Sequence, residues 1–155
     1  AALCYQSAEL GYTGYSQTQA CLRALDDPFL NNRDRSGTHI NLGIIFNNLF
    51  LPDKALASFN KAKFFIDFKP EIFLNSGNSY FIKIEFWKAI EYYDKSINSG
   101  IKDKSVVFYN KGLAYEMLKD MSAAISNYKK ALIHKPDAVY LEKKRKLIAS
   151  GQWED

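Results

Sequence analysis

The sequence predicts an all-α fold, a right-handed superhelical stack of antiparallel helix pairs, and three observations carry that prediction. Small and aromatic residues recur in register at an interval of 34 or 35 residues. Within each interval, apolar and small residues repeat at three- and four-residue spacing on either side of a short polar break, which is the mark of two helices joined by a tight turn. Only four prolines and eight glycines occur, and no Pro-rich or Ser/Gly-rich tract divides the 155 residues, so one domain is expected.

The N-terminal segment, residues 1–35, reads as a degenerate helical hairpin followed by a loop. Ala2 to Leu10 and Ser16 to Leu25 carry helical patterns, and Gly11-Tyr12-Thr13-Gly14 between them is turn-rich. A turn centred between Tyr12 and Thr13 places Cys21 opposite Cys4. These are the only two cysteines, so the hairpin holds either a disulfide, which implies an oxidising compartment, or two small buried thiols.

Three units follow, over residues 36–69, 70–104 and 105–138. Gly43, Ala55, Phe59 and Ala62 return 34 residues later as Gly77, Ala89, Tyr93 and Ser96. They return again, 35 residues on, as Gly112, Ala124, Tyr128 and Ala131, which places one extra residue within Ser99 to Ser105, as an insertion in a loop would. The breaks inside the units lie near Leu51-Pro52-Asp53, Lys83-Ile84-Glu85 and Lys119-Asp120. Pro52, Pro70 and Pro136 suit helix starts or the loops before them. The Gly and Ala positions fit the closest crossing of a helix pair, with the aromatic four residues after each Ala filling the space beside it. Residues 139–155 read as a capping helix and tail: Leu141, Leu147 and Ile148 point inward and Glu142 to Lys146 forms a charged outer face.

The three units resemble the tetratricopeptide repeat, with its Gly and Tyr/Phe on the first helix (Gly43/Phe46, Gly77/Tyr80, Gly112/Tyr115) and its Ala, aromatic and Ala/Ser on the second. The resemblance implies a non-catalytic module that binds other proteins. The Cys-containing helix at the start is further similar to bacterial periplasmic or secreted proteins of this kind, which implies a periplasmic or secreted location; the alternative is the cytoplasm.

In such a stack the first helices line the concave surface. At about 100° per residue, positions six and two before each Gly and one and five after it face that groove. The stripe is Gly37, Asn41, Ile44 and Asn48; Glu71, Asn75, Asn78 and Ile82; Val106, Asn110, Leu113 and Met117. Asn stands two residues before all three glycines, at Asn41, Asn75 and Asn110. A row of amides offers donors and acceptors that match an extended peptide backbone, or it bonds neighbouring helices and sets the stack geometry. Ile44, Ile82, Leu113 and Met117 are the expected aliphatic contacts. Ile40, Ile44, Val106 and Asn110 stand where a basic clamp for a C-terminal carboxylate would sit, so that binding mode is not expected.

A partner protein or peptide is therefore expected, and no cofactor or metal. The two histidines, His39 and His134, lie on different units, and no phosphate-binding loop or nucleophile motif occurs. The nearly neutral stripe argues against nucleic acid, and the apolar runs fall short of the roughly 20 residues of a membrane span, so a soluble protein is expected. The chain starts at Ala1 without Met, which deprives the absence of a signal peptide of weight. Lys143 to Lys146 reads as a solvated cap face, Asp26-Asp27 as a helix end and Glu154-Asp155 as a tail. The alternative function is a structural subunit that docks or self-associates through its outer surface, where Trp87 and Tyr92-Tyr93 lie, or through the stack ends.

Overall fold

The computed structural model describes residues 2–10, 14–64 and 68–153. Among the described residues are nine α-helices: α1 Ala2–Glu9, α2 Tyr15–Leu25, α3 Asn32–Asn48, α4 Pro52–Lys61, α5 Lys69–Ile82, α6 Phe86–Asn98, α7 Lys104–Met117, α8 Met121–His134 and α9 Ala138–Ala149. The expected centre of the N-terminal turn, between Tyr12 and Thr13, and the Glu154-Asp155 tail lie outside the described residues.

Local chemistry sets the helix starts. Pro52 and Pro70 occupy the first turns of α4 and α5, where a missing N–H costs nothing. The carboxylates of Asp103, Asp120 and Asp137 accept backbone N–H groups at the starts of α7, α8 and α9. The Asn31 side chain does the same for α3, which begins ahead of the expected unit start at residue 36.

Each pair, α3–α4, α5–α6 and α7–α8, closes on one contact. The rings of Phe59, Tyr93 and Tyr128 lie against the backbone of Gly43, Gly77 and Gly112, and a methyl group built on Gly77 would come within 2.5 Å of the Tyr93 ring. Four residues before each ring, Ala55, Ala89 and Ala124 are fully buried. Successive first helices touch, α3 with α5 and α5 with α7, while α4 and α6 each pack against both their own first helix and the next one. The α1–α2 hairpin packs on α3 in the same manner, in the place of a preceding unit.

The turn inside each pair repeats as faithfully as the glycines do. Phe50, Ile84 and Lys119 adopt φ of 56°, 64° and 64°. The residue after each donates its N–H back across the turn, Leu51 to Phe46 O, Glu85 to Tyr80 O and Asp120 to Tyr115 O, which satisfies the carbonyls at the helix end. Glycine is the usual occupant of this left-handed position, and an L-residue there costs roughly 1–2 kcal/mol. Phe50 and Ile84 nonetheless stand there 77% and 73% exposed, with little burial in return.

At the C-terminal end only Leu147 of the three expected inward residues is buried, whereas Leu141 and Ile148 remain substantially exposed. The missing cover comes from Trp153. The chain turns back after α9 through Gly151 at φ 69° and buries the indole with Tyr128 and Leu147, beneath the ammonium groups of Lys129 and Lys144. Lys143 anchors α9 to α7 by an ion pair with Glu116 at 2.6 Å, and Tyr128 donates its hydroxyl to the same carboxylate at 2.6 Å. Burial raises the Glu116 pKa, but the bonds from Lys143 and Tyr128 outweigh it and hold the carboxyl below its ordinary value.

Gly77→Ala is expected to lower the unfolding free energy by about 1–3 kcal/mol in urea denaturation, because a ring rather than a flexible chain must give way. Ile84→Gly should raise it by about 1 kcal/mol through release of the left-handed strain. The depressed Glu116 pKa means its contribution is complete above the ordinary value of 4.5 and is lost as pH falls through the lower folded value. In a Trp87→Phe background, the Trp153 emission should accordingly shift to the red at acidic pH; Glu116→Gln should abolish that pH dependence, and an unchanged profile would refute the assignment.

Candidate functional site

Side chains of α5, α6 and α7 bound a cavity of about 280 Å³. Asn78, Phe81, Ile82, Tyr93, Asn110 and Leu113 line it. Four of these, Asn78, Ile82, Asn110 and Leu113, belong to the stripe expected from helical phase.

Polar chemistry in this cavity is built on one acceptor. The Tyr93 hydroxyl donates to Asn78 Oδ1 at 2.9 Å, and Asn110 Nδ2 donates to the same oxygen at 3.0 Å, across from α7 to α5. Burial pushes the Tyr93 phenol well above the ordinary tyrosine range, so it remains a donor at any physiological pH. Two groups are left over. Asn78 Nδ2 and Asn110 Oδ1 make no hydrogen bond among the described residues, and neither is buried from solvent. The cavity thus presents one donor and one acceptor on adjacent helices, above the apolar side chains of Phe81, Ile82 and Leu113.

The asparagine row is not three equivalent amides. Asn75 donates Nδ2 to Glu71 O of its own helix at 2.9 Å, so that donor is turned back into α5. Asn41 makes no hydrogen bond among the described residues and lines a different cavity, of about 310 Å³, with Ala2 and Tyr5 of α1 and with Gly37, Thr38 and Phe68. Asn48 is exposed and lines neither cavity. Of the expected aliphatic contacts, Met117 is 54% exposed. Ile44 and Leu113 are half-buried and packed against core clusters, and Ile82 is half-buried in the cavity wall.

Two residues of the network escaped sequence reading. Asn47, buried between α3 and α5, donates Nδ2 to Asn75 O at 3.0 Å and accepts the Ser79 hydroxyl at 2.8 Å. The second unit has Phe81 and the third Glu116 at the corresponding position, so no repeat signal marked it. Tyr93 was legible only as a packing residue; its hydroxyl distinguishes it from Phe59, and Tyr128 spends the same group on Glu116.

Away from the cavity, His134 stacks on Phe108 with ring centroids 5.4 Å apart, and burial followed by the charges of Lys61 and Arg35 lowers the His39 pKa. Neither histidine belongs to a group of possible metal ligands among the described residues.

The family model of the tetratricopeptide repeat matches residues 105–138, the third unit, whose Gly112–Tyr128 contact and left-handed turn recur in the two units before it. Residues 105–138 are a tetratricopeptide repeat, and the all-helical architecture of the described residues fits a stack of such repeats. None of the curated proteins compared with this repeat protein matches it. The tetratricopeptide repeat is a protein–protein interaction fold, which gives the cavity between α5 and α7 its context. No helix among the described residues is long and apolar enough to cross a membrane.

Proposed function

We propose that the first-helix face of this tetratricopeptide stack captures an extended peptide segment of a partner protein, without catalysis and without a cofactor. The observation that carries the reading is the unspent pair at the cavity: Asn78 Nδ2 as donor and Asn110 Oδ1 as acceptor. A peptide backbone offers the complementary C=O and N–H, so the pair grips the main chain while an aliphatic side chain enters the space among Phe81, Ile82 and Leu113. Asn41 and Met117 extend the same face toward its two ends, and the scarcity of charge along it favours an uncharged segment and disfavours nucleic acid. The chain acts as one domain of three units, 36–69, 70–104 and 105–138, between the hairpin and the cap. The Cys4–Cys21 disulfide described below favours a periplasmic or secreted setting.

A second reading, docking or self-association through the outer edge, is favoured by Phe50, Ile84 and Trp87, the last 65% exposed. One experiment separates the two. A library of acetylated, amidated, uncharged peptides is screened by fluorescence polarisation, and the tightest binder is titrated against variants. Asn78→Asp keeps the Oδ1 acceptor for Tyr93 and Asn110 but replaces the free donor with an oxygen. It should weaken binding at least about tenfold, roughly 1.4 kcal/mol, while Trp87→Ser leaves it unchanged. The reverse pattern would transfer the function to the outer edge.

A further inference from the structure

Cys4 of α1 and Cys21 of α2 form a disulfide with a Cα–Cα distance of 4.7 Å. Its position is more informative than its presence. On α1 the only buried residues are Cys4 and Ala8, and among the described side chains of α2 only Cys21 is buried. Leu3, Tyr5 and Leu10 are 70%, 54% and 61% exposed, so the apolar contact that fastens α1 to the stack is small and centred on the bridge itself. A helix of eight residues does not hold its own backbone in water, since helices below about 12–15 residues are marginal even in favourable sequences.

The second helix has a separate fastening. Arg35 of α3 donates to the carbonyls of Leu25 and Asp27 at 2.8 and 3.0 Å, which ties the end of α2 and the loop after it to the start of α3. Leu25 also packs against the cluster of Leu42 and Ile45. Opening the disulfide therefore removes the covalent hold on α1, leaves only its small contact with α3, and keeps the fastening of α2 in place.

What α1 contributes is a wall. Ala2 and Tyr5 close one side of the cavity of about 310 Å³ whose other side is Arg33, Asp34, Gly37, Thr38 and Asn41 of α3. Asn41 is the member of the asparagine row whose carboxamide makes no hydrogen bond among the described residues, so both its donor and its acceptor are available to an occupant. We propose that this cavity is a second subsite of the groove, for a further stretch of the same extended peptide, and that the Cys4–Cys21 disulfide is what holds its α1 wall. Reduction by a dithiol passes two electrons and two protons to the bridge: a thiolate attacks one sulfur, the second thiol displaces the other through the mixed disulfide, and the products are two cysteine thiols and the oxidised reductant. With α1 released, the groove ends at α3.

The peptide half of this inference rests on the groove reading above, whereas the motion of α1 does not. Amide hydrogen exchange of the full chain is followed with and without a dithiol, the two-thiol state being verified by mass. Residues 2–9 should exchange at least about tenfold faster once reduced, while α3 to α8 keep their protection. Cys4→Ala/Cys21→Ala should show the fast exchange without reductant. Retained protection of residues 2–9 in the reduced protein would overturn the proposal. In parallel, the tightest capped peptide from the library, lengthened residue by residue toward α1, should lose the affinity gained by lengthening either on reduction or in Asn41→Ala. Release of α1 with that gain intact would overturn the subsite. Failure of every capped peptide to bind the oxidised chain would remove the groove reading, and with it the subsite, while the exchange data still decide whether the disulfide holds α1.

Discussion

Everything in this stack hangs on a ring lying on a glycine. Phe59, Tyr93 and Tyr128 can reach the backbone of the first helix only because Gly43, Gly77 and Gly112 have no side chain there. That approach sets the distance between the two helices of a pair and brings the small Ala55, Ala89 and Ala124 to full burial. The same contact is made three times, and the successive first helices pack side by side, α3 with α5 and α5 with α7. The cavity between α5 and α7 is a product of that repetition, with Tyr93 serving both the crossing and, through its hydroxyl, the amides above it.

The ends of the stack solve a different problem, that of a repeat with no neighbour. At one end α9 covers the last pair with Leu147, the Glu116–Lys143 ion pair and an indole that returns from beyond the helix. At the other, two short helices with few buried residues are joined by a covalent bond and tied by Arg35. One end relies on apolar cover and charge, the other on a crosslink, so the two should respond to different solution conditions. The first is sensitive to acid and the second to reductant.

Much of this was legible because repeats encode backbone packing redundantly. The helix boundaries around Pro52, Ile84 and Lys119, the buried Gly–Ala–aromatic set and the opposition of Cys4 to Cys21 all follow from spacing alone. Helical phase also located Asn78, Ile82, Asn110 and Leu113 on one face, and the cavity is lined by those four together. Leu141 and Ile148 are exposed where the helical pattern predicts them inward, for a physical reason: apolar character at helical spacing does not say how much of a terminal helix has anything to pack against, and Trp153, which shares that burial with Leu147, lies beyond the helix.

What the sequence determined by itself is the architecture, since glycine, alanine and ring at a fixed interval admit one kind of close helix crossing. What only the tertiary structure decided is the state of each amide. Asn41, Asn75 and Asn110 are the same residue at the same repeat position, yet one is unbonded, one bonds its own helix and one bonds across to Asn78. A carboxamide can satisfy itself with any partner within about 3 Å, and which partner is nearest depends on residues from other elements, such as Tyr93 and α1, that no repeat interval specifies.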